Sequence, residues 1–288
     1  MRKISVITIN FNNADGLLNT IKSVQEQTYS NIEYIVIDGG STDDSLQYIR
    51  RFSQKIYYWI SEPDRGIYHA MNKGVRRATG EYCLFLNSGD VLHDKDVLAN
   101  IAKDESGVDF LIGKVLFLNT RRLNSTPKSL TMKHFYKNSI PHPSTFIKTS
   151  QFAIIKYDES FRIVSDWKFF MEAIIFNNAS YKFLDIIVTD FDTNGISATN
   201  KQLVELERYQ VLSSLLPSRI YEDYTSFIDG EGYKISCYDR FFIKLRSYKY
   251  AKFIYFVSVL IMRCICVFRP GASFAKNYPL LYKNDSQF

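Results

Sequence analysis

The chain has 288 residues, 46% of them apolar and 15% aromatic, which is enough to bury a sizeable core and excludes global disorder. Its formal charge of +6 is unevenly placed. Between Lys234 and Lys276 nine Lys and Arg residues stand against one acid, Asp239, so the rest of the chain is slightly acidic, which argues against a nucleic-acid-binding body and places the basic surface in a tail.

Met1-Arg2-Lys3 leads into an apolar run at residues 4–9 that is too short for a signal-peptide core and lacks a small-residue cleavage site, so it reads as a first strand. Further strand-length apolar runs lie at 32–37, 56–60 and 82–86, each closed by a polar or Gly-containing turn. Between them Leu17, Ile21 and Val24 recur at helical spacing, as do Ile67, Met71 and Val75, with Gly80 placed as a C-terminal stop. Strand and helix alternating in this way predict right-handed crossovers, a mostly parallel sheet and a ligand crevice beyond the carboxyl ends of the strands. Farther on we expect a strand pair across residues 121–126, a helix over 165–177 and a strand over 181–190, with antiparallel strands extending the sheet. The cysteines, Cys83, Cys237, Cys264 and Cys266, form no C-x-x-C pair and have no histidine at zinc-ligand spacing, which fits a reduced, cytoplasmic compartment.

The chemistry is sought at the strand ends. Thr8 and Asn10 close the first strand, Asp38 to Asp43 follow the second, and Glu62-Pro63-Asp64-Arg65-Gly66 follows the third. An Asp there can accept from a base imide or a ribose hydroxyl, and the forked donors of Arg65 suit a diphosphate. The run from Asp38 to Asp43 also reads as a turn with helix-capping residues. The fourth strand ends in Asn87-Ser88-Gly89-Asp90, where Asp90 can offer carboxylate oxygen to Mg²⁺ or Mn²⁺, although the same run serves as an ordinary turn. Asp166 opens an apolar helix on which Trp167, Phe170 and Ile174 recur; it is either a cap or a general base for a hydroxyl nucleophile.

Taken together these turns resemble those of the family 2 glycosyltransferases, inverting enzymes with a GT-A fold. The matching segments are ISVITINFNN, YIVIDGGSTDDS, EPDRGIYHAMNKGVRRATGEY, FLNSGD and, more loosely, SDWKFF, so the resemblance runs from residue 3 to about residue 195. It implies an α/β fold with a mixed, mostly parallel Rossmann-like sheet flanked by helices. Residues 1–215 would form the catalytic domain, with a nucleotide-sugar half at 1–100 and an acceptor half at 101–215. Thr8, Asn10, Asp38, Asp64, Arg65 and Asn87 would line the nucleotide-sugar site. Asp90 would hold Mn²⁺ or Mg²⁺ as the acid of the D-x-D motif, and Asp166 would deprotonate the acceptor in a single displacement with inversion.

The chain departs from the family in two places. The paired acids of the metal motif are reduced to Asn87 and Asp90, and His69 stands where the close subfamily carries Asp, which either alters the donor-side hydrogen bonding or leaves the ring facing solvent from a helix. His142, in Pro141-His142-Pro143, occupies the place of an acceptor-side loop, and the run at 191–197 resembles a late glycine-serine loop that closes over the donor. The expected substrates are a nucleotide diphosphate sugar, by family frequency a UDP-sugar, and a hydroxyl of a glycan or lipid-linked oligosaccharide in cell-surface polysaccharide synthesis. The alternative is a catalytically weak glycan-binding or scaffolding protein on the same fold. A nucleotidyltransferase would instead carry a Gly-rich basic loop after the first strand, where this chain has Asn10-Phe11-Asn12-Asn13.

Residues 216–288 read as a helical basic tail. Within them 251–268 is apolar apart from Lys252 and Arg263, which return to one side of a helix at about 100° per residue. This stretch suits an interfacial helix on anionic lipid better than a span, placing the protein peripherally at the inner face of the plasma membrane. The other reading packs the apolar face on the catalytic domain and leaves the lysines in water. Cys264 and Cys266 are expected to be buried apolar residues.

Overall fold

The computed structural model describes residues 2–191 and 200–228. Strand β1 (Ile4–Asn10) is buried along its whole length, as a strand covered on both faces must be. Helix α1 (Ala14–Gln25) is capped by the Asn13 side chain, which accepts from the Gly16 amide, and buries Leu17, Ile21 and Val24 as their spacing predicts. Then come β2 (Ile32–Asp38), α2 (Ser45–Phe52), β3 (Tyr58–Ser61), α3 (Ile67–Val75) and β4 (Tyr82–Phe85). All the pairings among β1, β2, β3 and β4 are parallel, and the register sets Asn10 beside Asp38 and Asp38 beside Ser61, so three polar strand ends form one row.

Two local expectations are corrected. The buried face of α3 is Tyr68, Ala70, Met71, Asn72 and Gly74, with Ile67 and Val75 only partly covered. Gly80 does not cap that helix, which ends at Val75 with Arg76 as its C-cap. It is glycine because β1 passes so close that a Cβ would lie 2.7 Å from the Ser5 amide nitrogen and 2.9 Å from the Lys3 carbonyl.

The second half contributes β5 (Val91–Leu92), α4 (Val97–Ala102), β6 (Phe110–Phe117), β7 (Arg122–Leu123), α5 (Met132–Lys137), β8 (Thr145–Lys148) and α6 (Gln151–Ile154). Helix α7 (Ser165–Met171) runs on as a π-helical turn, Glu172–Phe176, so the helix expected over 165–177 changes its winding midway. Strand β9 (Tyr181–Phe191) and helix α8 (Lys201–Leu215) follow. The sheet order is β3-β2-β1-β4-β8-β6-β9-β5, with β7 pairing β6. Only part of the extension is antiparallel: β8 runs against β4 and β6, but β6 and β9 are parallel to each other, because α7 carries the chain back across the sheet.

Alternate residues of the strands feed two cores. Val6, Val36 and Leu84 pack with Leu17 and Ile21 of α1 and with Val97 and Ile101 of α4. Ile7 lies against α3 at Gly74, and Phe85 meets Phe152 and Tyr157 on the same side of the sheet. The body formed by these elements is a compact unit ending at Pro217. The second unit starts at Ser218 and its described part is helix α9 (Ser218–Ile228). The expected basic segment 234–276, the apolar stretch 251–268, Cys237, Cys264, Cys266 and most of the loop at 191–197 lie outside the described residues. Among the described residues no helix is long and apolar enough to cross a membrane.

Candidate active site

At the ends of β1, β2 and β3 the polar row is knitted together. Asp38 is fully buried, and its carboxylate accepts from Asn10 Nδ2 (2.8 Å), Ser41 Oγ (2.5 Å), the Ser41 amide (3.0 Å) and Ser61 Oγ (2.6 Å). Burial alone works to raise its pKa, but these donors outweigh it and hold the carboxyl below the usual range. Four donors match the acceptor capacity of a carboxylate, so Asp38 fixes the strand ends and is not an open acceptor in this arrangement. Asp43 likewise accepts from the Ala14 and Ser45 amides, so the turn-and-cap reading of this run describes the geometry. Thr8 is fully buried; its hydroxyl donates to the Leu86 carbonyl (2.8 Å) and lies 3.1 Å from Tyr34 Oη, tying β1 to its neighbours inside the core. Phe11, which sequence reasoning passed over, is 65% exposed at the mouth of β1 and packs over Gly39.

The segment after β3 forms a charged cluster. Lys73 Nζ lies 2.6 Å from Asp64 and 2.7 Å from Glu62, and His69 Nδ1 lies 3.0 Å from the same oxygen of Asp64. Burial works to lower the Lys73 pKa, yet Asp64 and Glu62 raise it above the ordinary lysine value. The side chain of His69 is only 15% exposed, so it does not face solvent; it turns back onto Asp64. Arg65 is the open member of the group, 76% exposed, with its guanidinium 2.7 Å from Glu159.

The turn after β4 is held by α1. Thr20 Oγ1 accepts from the Gly89 amide (3.0 Å) and lies 2.7 Å from the Asp90 carbonyl, while Asn13 Nδ2 donates to the Ser88 carbonyl (2.9 Å). Gly89 has φ +105°, a conformation that other residues rarely adopt. The turn delivers Asn87 and Asp90 to a cleft of ≈ 1060 Å³. Asn87 Oδ1 is buried with no hydrogen-bond partner among the described residues, and Asp90 is 6% exposed. Among the described residues no group of three acidic, His or Cys side chains forms a self-sufficient metal site. One carboxylate and one unpaired amide oxygen fit a hard divalent cation that takes its other ligands from substrate phosphates and water.

Asp166, in the first turn of α7, and His142 line the same cleft. Asp166 accepts from Tyr68 Oη (2.8 Å), which also lies 2.5 Å from the Ile163 carbonyl. Burial, reinforced by the Asp166 charge, pushes the Tyr68 pKa far up, so it serves as a neutral donor. His142 stacks on Phe85 with ring centroids 5.1 Å apart, and its Nε2 lies 3.0 Å from Tyr157 Oη. Burial lowers its pKa, with the nearby Asp166 charge acting in the opposite direction, so the ring is held neutral at pH 7.

Helix α8 supplies two residues the sequence reading missed. Glu207 is 4% exposed, and its carboxylate accepts from three successive amides, Arg162 (2.8 Å), Ile163 (2.9 Å) and Val164 (3.2 Å), immediately before the Asp166 turn. Arg208 lies with Cζ 4.8 Å from the Trp167 ring centroid and donates to the Lys137 carbonyl (3.2 Å). The available signal was helical register, since Val204, Glu207, Arg208, Val211 and Leu212 lie on one stripe. The cleft therefore unites Asn87, Asp90, His142 and Asp166, whereas Thr8, Asn10, Asp38, Asp64 and Arg65 lie outside its lining.

Comparison with known proteins agrees with this architecture. The sequence pattern described as Glycosyl transferase family 2 matches residues 5–160. Rv1514c of Mycobacterium tuberculosis (strain ATCC 25618 / H37Rv), an uncharacterized glycosyltransferase, is 37% identical over 204 residues, covering 68% of this chain and 77% of its own. Staphylococcus aureus TarS 1-349, solved in complex with UDP-GlcNAc, superposes with a TM-score of 0.60 at 21% identity over 78% of this chain and 73% of its own. The mannosyltransferase PcManGT of Pyrobaculum calidifontis, solved in complex with GDP-Man and Mn²⁺, gives a TM-score of 0.56 at 16% identity over 74% and 64%. The mixed sheet with helices on both faces is the GT-A fold these structures share, and the chain belongs to family 2 of the glycosyltransferases.

Proposed function

We propose that this glycosyltransferase moves a sugar from a nucleoside diphosphate donor, a UDP-sugar in the first instance, to a hydroxyl of a glycan or lipid-linked oligosaccharide, with inversion at the anomeric carbon. The observation that carries the reading is the convergence of Asn87, Asp90 and Asp166 on one cleft. Asp166 takes the proton of the attacking hydroxyl, and Tyr68 and Glu207 hold it in place. Asn87 and Asp90 would hold Mn²⁺ or Mg²⁺, which neutralises the charge developing on a departing diphosphate. His142, neutral and stacked, offers one hydrogen-bonding nitrogen beside the acceptor. At the strand ends exposed Phe11 provides a stacking face for the base, Arg65 an exposed cation, and the Asn10–Asp38 row a rigid floor. The transfer is assigned to residues 1–215, and contact with an anionic membrane surface at the cytoplasmic face to residues 216–288.

The test is release of nucleoside diphosphate from a panel of nucleotide sugars with Mn²⁺ or Mg²⁺, for the wild type, Asp90→Ala and Asp166→Asn. One donor turned over in a metal-dependent way, with both variants slower by at least about 10²-fold, supports the reading. No turnover together with no nucleotide binding by calorimetry refutes it and favours a glycan-binding scaffold.

A further inference from the structure

Arg208 is a cation placed where water cannot fully serve it. Its Nε is buried without a hydrogen-bond partner, and one Nη1 bond to the Lys137 carbonyl is the only hydrogen bond it makes among the described residues. No carboxylate among the described residues lies within ion-pair distance. Burial lowers its pKa, and the one charge that acts in the opposite direction is Asp166. A half-buried guanidinium is normally compensated by an oxyanion that takes up its fork. Here the fork is preorganised instead of satisfied, since its Cζ sits 4.8 Å over the ring of Trp167, whose own Nε1 is fixed to the Phe135 and Asn138 carbonyls.

The position tells which substrate presents that oxyanion. Arg208 lines the same cleft as Asp166, Asn87 and Asp90, but it sits over the ring of the residue next to Asp166, whereas Asn87 and Asp90 come from the turn held by α1, to which the proposed function gives the donor's diphosphate. An acceptor whose hydroxyl reaches Asp166 brings its neighbouring substituents toward Trp167 and Arg208. We propose that Arg208 binds an anionic group of the acceptor, a phosphate or carboxylate carried close to the hydroxyl that is glycosylated. The proposal rests on the reading that Asp166 receives the acceptor.

The experiment is calorimetry on the full chain with Mn²⁺, first with UDP, GDP and dTDP, then with glycerol 3-phosphate and glucuronate against glycerol and glucose, with and without the nucleotide that binds. We expect the anionic probes to bind alongside nucleotide and the neutral ones not to. Arg208→Gln should lose at least about tenfold in probe affinity and leave nucleotide affinity unchanged, with Arg208→Lys, which keeps charge but not the fork, in between. Thermal unfolding of each variant confirms that it is folded. Probe affinity unchanged in folded Arg208→Gln, no probe binding in the wild type, or a parallel loss of nucleotide affinity in the variant overturns the proposal. Failure of every nucleoside diphosphate to bind refutes the transferase reading instead, and the probes then report on Arg208 in the nucleotide-free protein.

Discussion

Replacing Glu207 by Gln changes one oxygen to an amide group and no volume, yet it strikes the element that carries Asp166. In the native arrangement the carboxylate receives three main-chain amides from residues 162–164, at 2.8, 2.9 and 3.2 Å. A glutamine has one acceptor oxygen; its NH₂ must face at least one of those N–H groups, which is left without a partner in a buried site. Hydrogen bonds to a charged group contribute roughly 1.5–3 kcal/mol each, and an orphaned buried donor costs about 1–3 kcal/mol, so a loss of about 3 kcal/mol is expected. Urea unfolding followed by tryptophan fluorescence should show the midpoint falling at unchanged slope. Catalysis should suffer more than stability implies, because a displacement of about 1 Å at a reacting group costs on the order of 10²-fold in rate. The drop should sit in kcat with KM for the donor little changed, since Glu207 touches nothing at the strand ends. Glu207→Asp, which keeps the charge on a shorter stem, should recover part of both losses. A Glu207→Gln protein with wild-type stability and wild-type kcat refutes the idea that α8 positions the base.

Two further outcomes are expected. His142 and His134 are both held by burial below the ordinary histidine pKa of 6.5, so in the window just below pH 6.5 the unfolded chain takes up protons that the folded chain refuses. Stability should therefore be fully present above pH 6.5 and fall as the pH drops through that window; His142→Gln should flatten the slope, and an unchanged slope speaks against a neutral buried ring. The tail should retain the full chain on vesicles of anionic lipid at low salt, release it at high salt and ignore zwitterionic vesicles; equal retention on both vesicle types removes the basic segment 234–276 from the account.

What the sequence determined by itself is the part of the fold written in local periodicity and turn chemistry. Leu17, Ile21 and Val24 fall inward because a helix repeats every 3.6 residues whatever it packs on, and the strand-end turns announce themselves as polar breaks after apolar runs. Those same turns carried the family resemblance, so the GT-A fold was open to inspection before any coordinates, and the turns named Asp90 and Asp166 as candidates. The face of α3 was not, because its inward residues are set by how close the helix lies to β1, and the role of Gly80 depends on a strand about 75 residues away in the chain.

The tertiary structure alone decided which polar groups are available and which are spent. Asp38 looks like an open acceptor in the sequence and is saturated by donors from residues 10, 41 and 61; His69 looks like a surface residue and is folded onto Asp64. Glu207 and Arg208 look like the solvated charges of an amphipathic helix, but the amides that Glu207 receives stand 43 to 45 residues earlier, and the ring under Arg208 belongs to α7. Charge and periodicity are properties of a segment. Whether a charge is satisfied depends on what the rest of the chain brings within 3 Å of it, and that is decided only when the elements pack.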